Sequence, residues 1–122
     1  MLPAVHRLRA SSDFATVTRQ GHRVRCGDLV VYLLLDGTAE AQVPTRVGLV
    51  VGKSVGGSVV RHQVSRRLRA QLAARVAELP VNSRLVVRAL PGAAARRSVE
   101  LGRDLDRALG KLSRFHTAGV AT

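Results

Sequence analysis

Residues 46–69 read RVGLVVGKSVGGSVVRHQVSRRLR and hold five arginines, one lysine and one histidine without a single carboxylate. A guanidinium group forks onto phosphate oxygens and stays charged at any physiological pH, so crowding it without counter-charge suits the gripping of a polyanion. Phosphates arriving at such a segment relieve its self-repulsion and release counterions. RNA is the polyanion that this pattern fits best.

Other residues with chemical potential are present but badly spaced. Gly48 to Ser54 resembles a phosphate-binding P-loop, yet its first glycine stands one position too close to the Gly-Lys-Ser end, and no acidic magnesium strand follows. Asp104 and Asp106 are two apart, so a helix points them in different directions, and Arg103 and Arg107 flank them as expected salt-bridge partners. His6, His22, His62 and His116 are scattered without metal-ligand spacing, and no serine, histidine and acid come together locally. Cys26 has no second cysteine to pair with, which makes it a poor zinc ligand and a buried or half-buried bystander. The expectation is therefore no catalytic residue and no metal site in this chain.

A length of 122 residues is one domain's worth, able to bury roughly two-thirds of its unfolded surface. Twenty basic against eight acidic residues give a net charge of +12, which implies salt-dependent association with nucleic acid. A membrane partner is disfavoured, because no apolar run approaches the roughly 20 residues that span a bilayer. The amino-terminal MLPAVHRLRASSDF carries arginines but no apolar stretch of the secretory kind, so a cytoplasmic location is expected. With two Phe, one Tyr and no Trp, the core must be built from Val, Leu and Ala, and each aromatic is worth following.

Positioning the basic segment requires a mixed α/β frame. Ser11, Ser12 and Asp13 offer caps for a first helix carrying Phe14 and Val17 and stopped by Gly21. Residues 29–35 and 47–51 are apolar runs that read as strands, joined by a polar and mobile connection, and Arg23-Val24-Arg25 alternates like a short strand before them. Ser58 can cap a helix in which Val60, Val64, Leu68 and Leu72 recur and continue through Val76 to Leu79, making it the longest in the chain before Pro80 ends it. His62, Arg66 and Arg69 then lie opposite the apolar stripe, with Arg61 and Arg67 on its flanks. Residues 85–89 form a late strand, Pro91-Gly92 a turn, and Ser98 caps a final helix striped by Leu101, Leu105, Leu109 and Leu112. The expected organisation is one RNA-binding domain over 1–116 and a flexible tail over 117–122.

The basic run resembles the signature of the bacterial ribonuclease P protein component: a strand ending in a lysine, a Gly-rich turn, and a helix with an Arg-Asn-Arg type motif. RLRASSDFATVTRQGHRVR is similar to that family's amino-terminal segment, and VVRALPGAA to its late strand and Pro-Gly turn. The resemblance implies an α/β two-layer sandwich of the ribosomal-protein-like type, in the order α-β-β-β-α-β-α with a left-handed crossover. It also implies a subunit that binds a catalytic RNA and precursor tRNA and assists removal of the 5′ leader. Hydrolysis would belong to the RNA subunit with Mg2+ held chiefly by RNA, and no obligate protein partner is implied.

Carried over by position, Lys53, Arg61, Arg66 and Arg69 match residues that meet the catalytic RNA, with His62 and Arg67 in the same helix. Phe14 and Tyr32 match aromatics of a cleft that takes the single-stranded leader, where an aromatic face stacks on bases with little sequence preference. This chain departs from the family pattern at His62, Gln63, Ser65 and Leu90, and places Thr18 and Leu29 where further aromatics are common. Two other readings remain open on the residues themselves: a ribosomal or RNA-chaperone type module without a catalytic RNA, and a DNA-binding regulator that lays the arginine helix in a major groove.

Overall fold

The seven residues of the run LVVYLLL are apolar without alternation, which suits a strand covered on both faces. A computed structural model, which describes residues 6–8, 10–35, 44–80 and 82–121 and side chains as far as residue 113, places them centrally. The run is β2 (Leu29–Leu35), hydrogen-bonded between β1 (His22–Cys26) and β4 (Ser83–Ala89), both antiparallel to it. Strand β3 (Arg46–Val50) lies outside β4 and parallel to it, giving the order β1-β2-β4-β3.

Parallel neighbours need a crossover. Here it is α2 (Ser58–Ala73), which leads from β3 to β4, while α1 (Ser11–Gln20) opens the chain and α3 (Ser98–Ala121) closes it. The order α-β-β-β-α-β-α and the α/β sandwich are as expected.

Successive side chains of β2 point to opposite faces. Leu29, Val31 and Leu33 join Leu85, Val87, Val64, Leu68, Leu72, Leu101, Leu105 and Leu112 in the main core beneath α2 and α3. Val30 and Tyr32 join Leu8, Val17 and Val86 on the second face, which α1 covers in part. Asp13 ties α1 to the sheet through Arg84 of β4 at 3.1 Å.

Ser11, Ser58 and Ser98, expected as caps, are instead the first residues of their helices, so the cap position falls one residue earlier. Ala10 and Gly57 precede α1 and α2 with no side-chain capping bond. Before α3, the Arg97 N–H is taken by Glu100 Oε1 at 3.0 Å, while Ser98 Oγ accepts a hydrogen bond from Gln71. Asp13 and Ser98 have tertiary partners, which outweigh local capping.

The longest helix is α3, not α2, and it carries past His116 to Ala121. Apolar residues spaced by four drift by about 40° per step on a helix of 3.6 residues per turn, so Val76 would stand about 120° from Val64. The chain instead leaves the α-helix at Ala73 and tightens into a 3-10 turn at Val76–Glu78, whose narrower winding brings Val76 and Leu79 back against the core. The connection expected to be mobile falls largely on 36–43, outside the described residues.

Two glycines are dictated by geometry. Gly27, in the two-residue β1–β2 turn, has φ +57°, and a Cβ there would strike the Asp104 carboxylate. Gly48 in β3 lies under the ring of Phe14, where a Cβ would stand 2.4 Å from ring carbons.

Candidate nucleic-acid interface

The loop Gly52–Gly57 turns β3 into α2 with short backbone bonds, Val55 N–H to Gly52 at 3.1 Å and Gly56 N–H to Lys53 at 3.2 Å. Lys53 stands exposed on this turn, and the first turn of α2 holds no acid, so the positive helix end is unopposed. Val64, Leu68 and Leu72 are fully buried, which fixes the rotation of the helix. His62, Arg66 and Arg69 consequently face solvent, and they line an open depression of about 670 Å³ together with Arg7, Gln63 and Arg67.

The two flanking arginines differ from these. Arg67 is half-buried and donates to the Arg96 carbonyl at 3.0 Å, so part of its guanidinium is committed to holding the turn before α3. Arg61 is half-buried, with its Nε shielded from solvent and without a hydrogen-bond partner. A charged guanidinium nitrogen buried short of an acceptor is costly.

Register builds the second site. Residues directly opposite one another in a sheet share a face, so Arg23, Tyr32, Val86 and Gly48 form one row and Arg25, Val30, Arg88 and Val50 the next. Helix α1 lies over the first row, with Phe14 half-buried on Gly48. Phe14 and Tyr32 thus come together in one cluster, but unequally: Tyr32 is only 8 % exposed and forms the floor, whereas Phe14 keeps surface at the rim. Beside Phe14 a depression of about 360 Å³ is lined by Arg7, Leu8, Gly48, Leu49 and Arg69. Arg7 and Arg69 line both depressions, so the basic helix face and the aromatic cleft are continuous.

Residue reasoning had passed over Arg7, Arg23, Arg25 and Arg88. Arg23, Arg25 and Arg88 are exposed on the same face of the sheet. One signal could have found Arg88: a cation interrupting the apolar run 85–89 marks a face that reaches water.

The carboxylates sit elsewhere. Asp106 accepts two hydrogen bonds from Arg75, at 2.6 and 3.1 Å, which hold its carboxyl below the usual range and raise the Arg75 guanidinium. Arg96 is likewise raised, first by its hydrogen bond to Asp28 at 2.7 Å. Glu100 is lowered, first by the backbone N–H of Arg97. The expected pairing of Asp104 and Asp106 with Arg103 and Arg107 is not what forms: Asp106 crosses to α2's end, and Asp104 is buried against Gly27. Neither depression is lined by an acid.

Among the described residues no cluster of three or more His, Cys, Asp or Glu could hold a metal ion, and no helix is long and apolar enough to cross a membrane. The arrangement can bind and orient an anionic chain. It supplies no acid and base pair at one point.

A family model described as Ribonuclease P matches residues 2–113. The ribonuclease P protein component of Acidothermus cellulolyticus is 50% identical over 114 residues, covering 93% of this chain and 92% of its own. That of Streptomyces bikiniensis is 50% identical over 117 residues, covering 92% and 95%. Among solved structures, the Staphylococcus aureus RNase P protein superimposes with a TM-score of 0.75 at 23% identity, over 86% of this chain and 93% of that one. The Thermotoga maritima RNase P protein, in complex with 1-(4-fluorophenyl)-2-thiourea, gives 0.72 at 20% identity, over 88% and 98%. On sequence and fold together, the chain belongs to the bacterial ribonuclease P protein component family.

Proposed function

We propose that this chain is the protein subunit of a ribonuclease P ribonucleoprotein, working in the cytoplasm on the 5′ ends of precursor tRNAs. The observation that carries the reading is the acid-free surface running from the outer face of α2, through Arg69 and Arg7, into the cleft beside Phe14. Lys53, Arg61, His62, Arg66 and Arg69 dock on the catalytic RNA, each cation taking a phosphate or a base edge, with Arg67 contributing what its bond to Arg96 leaves free. The cleft takes the single-stranded leader: Phe14 offers the stacking face, Tyr32 supports it from below, and Arg23, Arg25 and Arg88 draw the backbone along the sheet.

In the holoenzyme Mg2+, held chiefly by the RNA, would supply the Lewis acid for phosphodiester hydrolysis. The protein's own work is to bind, orient and offset charge where two polyanions must approach one another. Cleavage of precursor tRNA, measured with and without the matching catalytic RNA, tests this. The chain alone is expected to be inactive, and the pair active at a lower Mg2+ concentration than the RNA alone. Magnesium-dependent cleavage by RNA-free, nuclease-free protein would overturn the reading.

A further inference from the structure

The acids of α3 are all turned inward or to other elements, and this leaves the helix's own cations uncompensated. Glu100 bonds back to Arg96 and Arg97, Asp104 is buried, and Asp106 is drawn to Arg75. Arg103, Arg107 and Lys111 are exposed and have no hydrogen-bond or ion-pair partner among the described residues. Four residues apart, they form one stripe with about 6 Å of rise between neighbours.

The direction of the stripe follows from what the rest of α3 touches. Leu101, Leu105, Ala108 and Leu112 face the sheet, and Gly102 and Asp106 face Gln71 and Arg75 of the α2 side. At roughly 100° per residue, Arg103, Arg107 and Lys111 point outward and away from α2. Because α3 packs on β1 and β2, that flank overhangs the β1 edge of the sheet. Arg23 and Arg25 are exposed at the same edge but belong to the cleft face, beside Arg88. Cations therefore continue from the cleft, across β1, onto α3, and the nearby Asp28 is already bonded to Arg96.

We propose that Arg103, Arg107 and Lys111 form a track for the distal part of the single-stranded 5′ extension of the substrate, gripped by its phosphates after it crosses Arg88 and Arg25. The proposal rests on the reading of the sheet face as the leader cleft. Two features favour a single strand over a structured RNA. The path turns around a sheet edge into the next layer, on the order of 10 Å away, which a flexible strand can follow and a stiff duplex cannot. The stripe also lies at the β1 edge with Arg23 and Arg25, whereas α2 presents its cations toward the β3 edge, where Arg69 borders the depression beside Phe14.

The test uses holoenzyme assembled from the full chain and its matching catalytic RNA, binding precursor tRNAs that carry either a short leader ending on the sheet face or a long one. The unaltered holoenzyme is expected to bind the long-leader substrate more tightly and with a steeper salt dependence. The triple variant Arg103→Gln, Arg107→Gln, Lys111→Gln should lose that increment, with the slope falling by about 2 units for three single-strand phosphate contacts, and should bind the short-leader substrate as before. A charge-keeping variant, Arg103→Lys with Arg107→Lys, should retain the increment. If the triple variant keeps the increment, or loses affinity equally for both substrates, the track is overturned while the cleft stands. If the unaltered holoenzyme does not distinguish long from short leaders, the track falls with it. A failure of the cleft reading itself appears separately, as no difference between a short leader and none.

Discussion

Gly48→Ala converts the contact between α1 and β3 into a measurable clash. The new Cβ would lie 2.4 Å from Cε1 and Cζ of Phe14 and 3.2 Å from Cε2, where carbon atoms rest at about 3.5–4.0 Å, so the ring must retreat by about 1 Å or more. The helix cannot simply lift, because Val17 is fully buried under it and Asp13 is bonded to Arg84 at 3.1 Å. If the ring stays, overpacking costs about 1–3 kcal/mol. If it swings into water, a half-buried Phe forfeits about 1 kcal/mol of burial. Stability, read by thermal or urea unfolding, should therefore fall by about 1–3 kcal/mol. Leader-dependent affinity of the holoenzyme should fall by roughly 5- to 150-fold, the equivalent of one lost stacking contact of about 1–3 kcal/mol. The decisive arm is the Phe14→Ala background. With the ring gone the clash is gone, and Ala, the better strand residue by about 0.5–1 kcal/mol, should be neutral or stabilising. The coupling between the two positions should thus be about 1 kcal/mol or more. An equal cost of Gly48→Ala in both backgrounds would refute the argument that Gly48 exists to seat Phe14.

Replacing Arg66 and Arg69 together with Ala should weaken binding to the catalytic RNA and reduce its salt slope by about 2 units in filter binding or anisotropy, with the fold unchanged because both side chains are exposed. Asp106 is depressed by Arg75, so its contribution to stability is present above the ordinary carboxylate range and lost as pH falls through its lowered value. The melting temperature should therefore drop on acidification below about pH 4. Asp106→Asn should cost no more than about 1 kcal/mol at neutral pH, since the Asp106 side chain is 61 % exposed beside a half-buried Arg75 and solvent screens the pair, and should flatten part of that acid drop.

The frame was readable in the sequence wherever one local signal decides the outcome. The continuous LVVYLLL run gives the same seven residues as β2, because a strand buried on both faces needs no alternation. Helix ends were less legible. The spacing of four from Val60 to Val76 looks like one helix, but it accumulates rotation, and only the position of β4 decides that the chain must tighten after Ala73. The caps failed for a related reason: Ser98 and Asp13 were judged against their neighbours in sequence, while their partners, Gln71 and Arg84, lie far along the chain.

Charge shows the same division more sharply. Between residues 46 and 69 the sequence has no acid, so no folding could neutralise that surface locally, and the basic face of α2 was legible at once. In α3 the cations and acids alternate, and the sequence reads as a solvated helix of local salt bridges. Folding separates them: Asp106 pairs with a residue 31 positions away, Asp104 is buried, and the cations stay outside. Arg23, Arg25 and Arg88 became a group only through strand register, which sets β1 beside β2 and β2 beside β4. A net charge of +12 favours a polyanionic partner. Where it runs depends on which carboxylates the fold consumes, and in this chain their consumption inside α3 extends the basic surface round the β1 edge.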